Sequence, residues 1–163
     1  MGTRCGDVDA GALEYLAKKE NLDFQQIMTI LNQESGVLGI SSNFSSDFRE
    51  LKDAEIKYND KAALAREIFV YRVAKYIGSY AAAMNGVDNI VFTAGVGEND
   101  SDIREQICEY LEFLGIAIDE VKNREQGEAV RISDGASRVN VLVVKTNEEL
   151  EIAREAAAVA AQV

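Results

Sequence analysis

Apolar positions recur at helical spacing through the first half of this chain, then alternate between strand and helix signatures. Leu13, Leu16 and Ala17 share one face of a helix predicted over residues 9–20, with Lys18 and Lys19 near its C-terminal end. Phe24, Ile27, Met28 and Leu31, at i, i+3, i+4 and i+7, predict a second helix over 23–33. Residues 32–42 carry Gly36 and Gly39 around short apolar pairs and read as a loop. A short helix over 46–54 follows Ser45 and Ser46, whose hydroxyls suit a cap. The longest helix is predicted from Asn59 or Asp60 to Met84. Leu64, Ile68, Phe69, Val73, Ile77, Tyr80 and Met84 trace its apolar stripe, and Asn85-Gly86 stops it.

From residue 88 the period changes. A β-branched run predicts a strand over 88–94, a glycine turn follows, and a helix is expected over 99–113, ending at Gly115. A small helix near 119–125, an extended piece at 129–133 and a second buried strand at 139–144 come next. The last helix is expected over 147–160, with Thr146 and Glu149 in a capping-box pattern. Strands separated by helices normally lie parallel in one sheet. A pair of strands is few for a sheet covered on both faces, so more sheet is expected from other sequence or from a partner chain.

Bulk properties narrow the function classes. At 163 residues, one domain spanning 1–163 is expected. The net charge of −11, with no basic run, argues against nucleic acid, because such binding rests on Lys and Arg neutralising phosphate. No stretch approaches the roughly 20 apolar residues that span a bilayer, and the first residues lack the apolar core of a signal peptide. The two cysteines, Cys5 and Cys108, fit no metal or disulfide spacing, so a reduced, cytoplasmic setting is expected. There is no histidine.

Four places carry candidate chemistry. Gly95-Val96-Gly97-Glu98-Asn99 sits between the expected strand and helix, at the strand end where open α/β sheets bind ligands. It is no dinucleotide fingerprint, since Asp100 stands where the third glycine belongs, and no Gly-Lys-Ser/Thr follows. Glycine there either admits a nucleotide or merely relieves a tight turn. Ser46-Asp47-Phe48-Arg49 opens a helix. Phe48 enters the core and Arg49 solvent, or Phe48 packs near a base while Arg49 offers planar donors. Arg4, between Gly2 and Gly6, is either part of a solvated terminus or a binder of carboxylate or phosphate. Glu148 either complements a helix dipole or holds Mg²⁺. Cys108 reads as a small core residue, with no histidine to activate it.

In order, Gly2–Asp9, Ser35–Ile40, Ser46–Arg49, Val91–Asn99, Glu112–Ile116 and Thr146–Glu149 resemble the C-terminal part of the acetate kinase family, with propionate and other short-chain carboxylate kinases alongside. The resemblance covers essentially the whole chain. It implies an α/β fold of the ribonuclease-H-like type shared with actin, Hsp70 and sugar kinases, here incomplete, helix-rich and with a small, partly parallel sheet. It implies in-line phosphoryl transfer from ATP to acetate, giving ADP and acetyl phosphate, with Mg²⁺. By the resemblance Arg4 is the catalytic arginine and Glu148 the magnesium ligand. Asp47, Phe48 and Arg49 line the adenosine pocket, and Gly95, Val96, Gly97 and Asn99 pass along the nucleotide's other side. A homodimer is implied too, which suits the small residues at 78–83. The family's active-site histidine and acetate pocket are missing, so this portion is expected to be inactive alone. Cys5 stands where serine is common, Ala10 where proline is common and Ala94 where glycine is common. A dimerisation module that binds no nucleotide is the reading from a different class.

Overall fold

The computed structural model describes residues 1–161; Gln162 and Val163, the end of the expected 1–163 domain, lie outside the described residues. The chain divides into two compact units, Met1–Lys75 and a second from Tyr76 onward.

The first unit holds α1 (Ala10–Glu20), α2 (Phe24–Gln33), α3 (Gly36–Ile40), α4 (Phe48–Ile56) and most of α5 (Asp60–Ala83), which runs on past Lys75. Short acceptors start these helices, because a helix leaves its first amides without partners. The Asp9 carboxylate accepts from the Ala12 amide, and Asp23 forms a capping box with Gln26. The residues read as a loop contain α3, a single turn too short to show a period. At the fourth helix, Ser45 and Ser46 are not the cap. Asp47 is, accepting from the Arg49 amide, while the Ser45 hydroxyl accepts from the Asp47 amide.

The core of this unit joins Val37, Leu51, Ala54, Ala62 and Ala65, with Ile40, Phe48 and Phe69 packed against it. The stripe expected to bury α5 is buried only in part: Ile68, Phe69, Val73 and Ile77 are half-buried. Leu64, Tyr80 and Met84 are exposed, whereas Ala62, Ala65, Arg66, Val70, Ala74 and Ala81 are buried. Small side chains let the helix axis approach its neighbours, and the larger residues are left at the margins. Asn85 and Gly86 end α5 with positive φ, and the Gly86 amide returns to the Ala81 carbonyl at 2.8 Å.

The N-terminal residues are tied into this unit. The Val37 and Leu38 amides donate to the Met1 and Gly2 carbonyls, Ser35 to Thr3, and the Cys5 amide to Leu31, all within 2.8–3.0 Å. Gly36 makes the approach possible. Its φ is +61°, and a Cβ there would overlap the Met1 carbonyl oxygen and lie 2.9 Å from those of Gly2 and Arg4. Gly36→Ala is therefore expected to destabilise the protein by about 2–3 kcal/mol, through left-handed strain and displacement of the segment. Urea midpoints and faster hydrogen exchange at Val37, Leu38 and Cys5 measure it; unchanged exchange there would refute it.

The second unit holds β1 (Asn89–Phe92), α6 (Ala94–Asn99), α7 (Ser101–Glu109), β2 (Ala129–Arg131), β3 (Asn140–Val144) and α8 (Glu148–Ala160). The sheet order is β1-β3-β2. β1 runs parallel to β3 with Asn89 opposite Asn140 and Phe92 opposite Val143. β2, expected only as an extended piece, adds an antiparallel edge with Val130 opposite Val143. Ile90, Phe92, Ile103, Ile107, Leu111, Ile132, Val141 and Val143 are buried.

Three expectations change here. The glycine turn is itself the short helix α6, because two glycines tolerate helical backbone as readily as a bend. The helix expected over 99–113 is broken by Asp100, which caps α7 through the Ile103 amide; α7 ends at Glu109, and a separate 3₁₀ turn at Glu112–Leu114 leads to Gly115. Thr146 and Glu149 form no capping box. Asn147 caps α8 by accepting from the Leu150 amide, since Thr146 is committed elsewhere.

Candidate functional site

Each unit carries its own set of the residues singled out above. In the first, the segment bearing Arg4 runs beside the start of α4: a Cβ on Gly2 would lie 3.7 Å from Ser46 Cβ. The Arg4 backbone is held on both sides, by Ser35 donating to Thr3 and by Cys5 donating to Leu31. Its side chain is exposed and lines a shallow cleft of about 420 Å³ with Gln25, Met28, Thr29, Asn32 and Gln33. No hydrogen bond or ion pair engages the guanidinium among the described residues.

Arg49 differs. Its Nε and Nη2 reach Asp47 Oδ1 and Oδ2 at 3.1 and 2.6 Å, a two-pronged pair in solvent. Hydrogen bonds from the Arg49 side chain and then its amide bring the Asp47 carboxyl down to about 2 from an ordinary 3.8. A folded pKa below the unfolded one means that the stabilising contribution is complete above pH 3.8. It is lost as pH falls toward about 2. A titration of the Asp47 carboxyl carbon by NMR should therefore show a midpoint near 2, and a midpoint near 3.8 would refute the pair. Phe48 packs on Phe69, ring centroids 4.5 Å apart, and is partly buried against the core. Beneath it the buried Arg66 pairs with Glu55 at 2.6 Å and reaches the Phe48 carbonyl at 3.5 Å.

In the second unit the two glycines of α6 do different work. A Cβ on Gly97 would sit 3.3 Å from the Phe92 carbonyl carbon, so Gly97 lets α6 lie against the end of β1. A Cβ on Gly95 would meet nothing within 4 Å, so packing does not require glycine there. Asn99 donates to the Gly95 carbonyl at 2.8 Å, bracing the turn. Ala94 begins α6 at φ +59°, left-handed backbone that costs an L-residue about 1–2 kcal/mol. Ala94→Gly removes that strain and returns part of it as unfolded-state entropy, for an expected net gain of about 0.5–1 kcal/mol in thermal or urea unfolding. A loss of stability would show that the strain is absent.

Sequence reasoning missed the groups that hold this turn. Arg104, on α7, is only 2% exposed. Its Nη1 donates to the Gly97 and Glu98 carbonyls at 2.9 and 3.0 Å, its Nε to Asn123 Oδ1 at 2.9 Å and its Nη2 to the Asn123 carbonyl. Burial lowers its pKa, and Asp100 chiefly opposes that. The signal was available: Arg104 shares a helix face with Ile103, Ile107 and Cys108, all buried. Glu98 Oε1 accepts from both the amide and the hydroxyl of Thr146, each at 2.9 Å, and these bonds lower its pKa. The latch fixes the chain two residues before Glu148, the exposed first residue of α8. Burial pushes the Cys108 thiol up to about 12, which fits a core residue and not a nucleophile.

No group of three or more Cys, Asp or Glu with metal-binding geometry occurs among the described residues. A lone carboxylate such as Glu148 is still a donor set Mg²⁺ accepts, since that ion completes its shell with phosphate and water oxygens. No described helix is long and apolar enough to cross a membrane.

Known proteins resemble this chain in sequence and in fold. An acetate kinase from Helicobacter hepaticus is 55% identical over 162 residues, covering 99% of this chain and 40% of that protein. The crystal structure of Porphyromonas gingivalis acetate kinase superposes with a TM-score of 0.88 at 48% identity, covering 95% of this chain and 39% of that one. A propionate kinase structure from Francisella tularensis gives 0.86 at 40% identity, with 95% and 39% covered. The chain thus spans about two fifths of the length of these relatives, and its fold is the ribonuclease-H-like type of those kinases. The model of the acetokinase family matches residues 1–154, and the chain belongs to that family.

Proposed function

We propose that this chain is the nucleotide-side portion of a cytoplasmic kinase that transfers the terminal phosphoryl group of ATP to acetate. The observation that carries the reading is the family match over 1–154, combined with an Arg4 whose backbone is fixed and whose side chain is uncommitted. In such a transfer the protein mainly positions the reactants and stabilises charge on the phosphoryl oxygens. Arg4 supplies a planar, permanently charged donor for that charge. Asp47, Phe48 and Arg49 line the adenosine, with the Phe48 ring braced by Phe69. Gly95 leaves open surface for the nucleotide, Val96 and Gly97 carry the turn past it, and Asn99 and Arg104 keep the turn in shape. Glu148 would hold Mg²⁺, which would supply neutralisation of phosphate charge; the Glu98–Thr146 latch sets where that carboxylate starts. The functional assembly is a homodimer.

Propionate is the second reading for the acyl acceptor, favoured by the Francisella tularensis propionate kinase neighbour. Grafting this chain into the Helicobacter hepaticus acetate kinase, in place of the 162 matched residues, tests the reading. ATP-dependent acetyl phosphate is expected from the graft and none from the chain alone. A soluble, folded graft without turnover on acetate or propionate overturns it, as does robust turnover by the isolated chain.

A further inference from the structure

We propose that Asp7 and Arg72 are positioning residues for Arg4: their ion pair fixes the downstream side of the segment that carries the arginine, so that turnover, and not nucleotide affinity, depends on it. The inference rests on the proposed role of Arg4 in phosphoryl transfer and adds two residues to it.

Arg4 has no contact of its own to aim it. Its side chain is exposed, and a long side chain in water keeps its rotamer freedom. Where the guanidinium reaches is therefore set by the backbone. On one side that backbone is tied to the corner between α2 and α3. The Ser35 amide donates to the Thr3 carbonyl at 2.9 Å, and the Cys5 amide donates to the Leu31 carbonyl at 2.8 Å.

The other tie comes from α5. Arg72 Nη2 donates to Asp7 Oδ2 at 2.8 Å, across 65 residues of sequence. Gly6 makes room for it. Its φ is +71°, and a Cβ there would lie 2.8 Å from Arg72 Nη2, 3.1 Å from Cζ and 3.5 Å from Nε. The guanidinium thus fills the space that any side chain at position 6 would need. One arginine of α5 meets the segment twice in succession, by packing on Gly6 and by charge at Asp7.

The exposure of the pair separates a local role from a global one. The Asp7 side chain is 75% exposed, and an ion pair that solvent reaches contributes little to overall stability. What it adds is a second anchor, on α5, for a segment otherwise held from α2 and α3 alone. Without that anchor the Cα–Cβ direction of Arg4 drifts. A misplacement of about 1 Å in an active site can cost on the order of a hundredfold in rate.

Asp7→Ala tests the proposal in two settings. On the isolated chain, exchange of the Cys5 amide is expected to quicken at least about tenfold, while the amides of the buried Leu51 and Val70 keep their rates. Unchanged exchange at Cys5 overturns the brace. In the Helicobacter hepaticus acetate kinase carrying this chain, Asp7→Ala is expected to lower kcat about tenfold, with the KM for ATP within about threefold. Arg72→Gln removes the other partner and is expected to give the same split. A purely structural role would cost the same fraction of kcat whatever stands at position 4. A positioning role does not: in an Arg4→Ala background, Asp7→Ala is expected to change kcat by less than about twofold. Equal losses in the two backgrounds overturn the proposal, as does a KM for ATP that rises while kcat holds. If Arg4→Ala itself leaves kcat intact, the functional reading falls and this inference with it. If Arg4→Ala is severe and Asp7→Ala silent, this inference alone falls.

Discussion

Arg4→Ala, made in an acetate kinase frame that carries this chain, is expected to lower kcat about a thousandfold while leaving the KM for ATP within a few-fold. The reasoning is comparative. Arg49 is engaged by Asp47, Arg66 by Glu55, Arg72 by Asp7 and Arg104 by Asn123 and two carbonyls. Arg4 alone of these is fixed at its backbone with its guanidinium uncommitted, so it has five donors to offer where charge develops. An interaction made mainly in the transition state acts on kcat and spares KM. Arg4→Lys keeps the charge but loses the fork, and an intermediate loss is expected. The side chain is exposed, so the urea midpoint of either variant should barely move. A kcat within threefold of the parent would remove Arg4 from the chemistry.

Arg104→Met will destabilise the protein by about 2–4 kcal/mol, the cost of leaving several buried acceptor oxygens without their shared donor. Methionine approximates the volume, so the loss is not chiefly a cavity. What remains is the Gly97 carbonyl, the Glu98 carbonyl and both oxygens of Asn123, deprived of a shared donor. Asn123 is 1% exposed and its own Nδ2 is spent on the Ser101 carbonyl, so water cannot readily replace the guanidinium. Two-state urea unfolding measures the change, and hydrogen exchange should quicken along α6 and α7. A loss below about 1 kcal/mol would mean that the hydrogen bonds are made equally well by solvent.

Much of the fold was legible because its elements announce themselves locally. The helices at 10–20, 24–33 and 60–83 have apolar spacing and aspartate, asparagine or glycine at their ends, and the two parallel strands are β-branched runs. Shorter elements were not. α3 is a single turn between glycines, and α6 has a left-handed alanine where a period would have to begin. The apolar stripe of α5 is only half-buried, because packing there rewards small size over hydrophobicity and because Arg66 lies in the most buried face. Of the candidate site, Asp47 was found as part of a motif but not as the cap, and Thr146 lies at the expected end of α8 but leaves the capping to Asn147 and binds Glu98 instead. Arg104 and Glu98 went unnoticed as anchors, since their partners are far along the sequence: Asn123 is 19 residues from the one, Thr146 48 from the other. Pairings of that kind are decided by tertiary assembly, which no local window reports.

The contrast between the two thiols has a practical consequence. Cys108 is 3% exposed with its thiol raised to about 12, so alkylating reagents will pass it by in the native protein. Cys5 is half-buried and unpaired, and it directly follows Arg4. A maleimide dye therefore attaches at one position without any engineering, and its emission reports on the neighbourhood of the residue on which the chemistry is expected to turn.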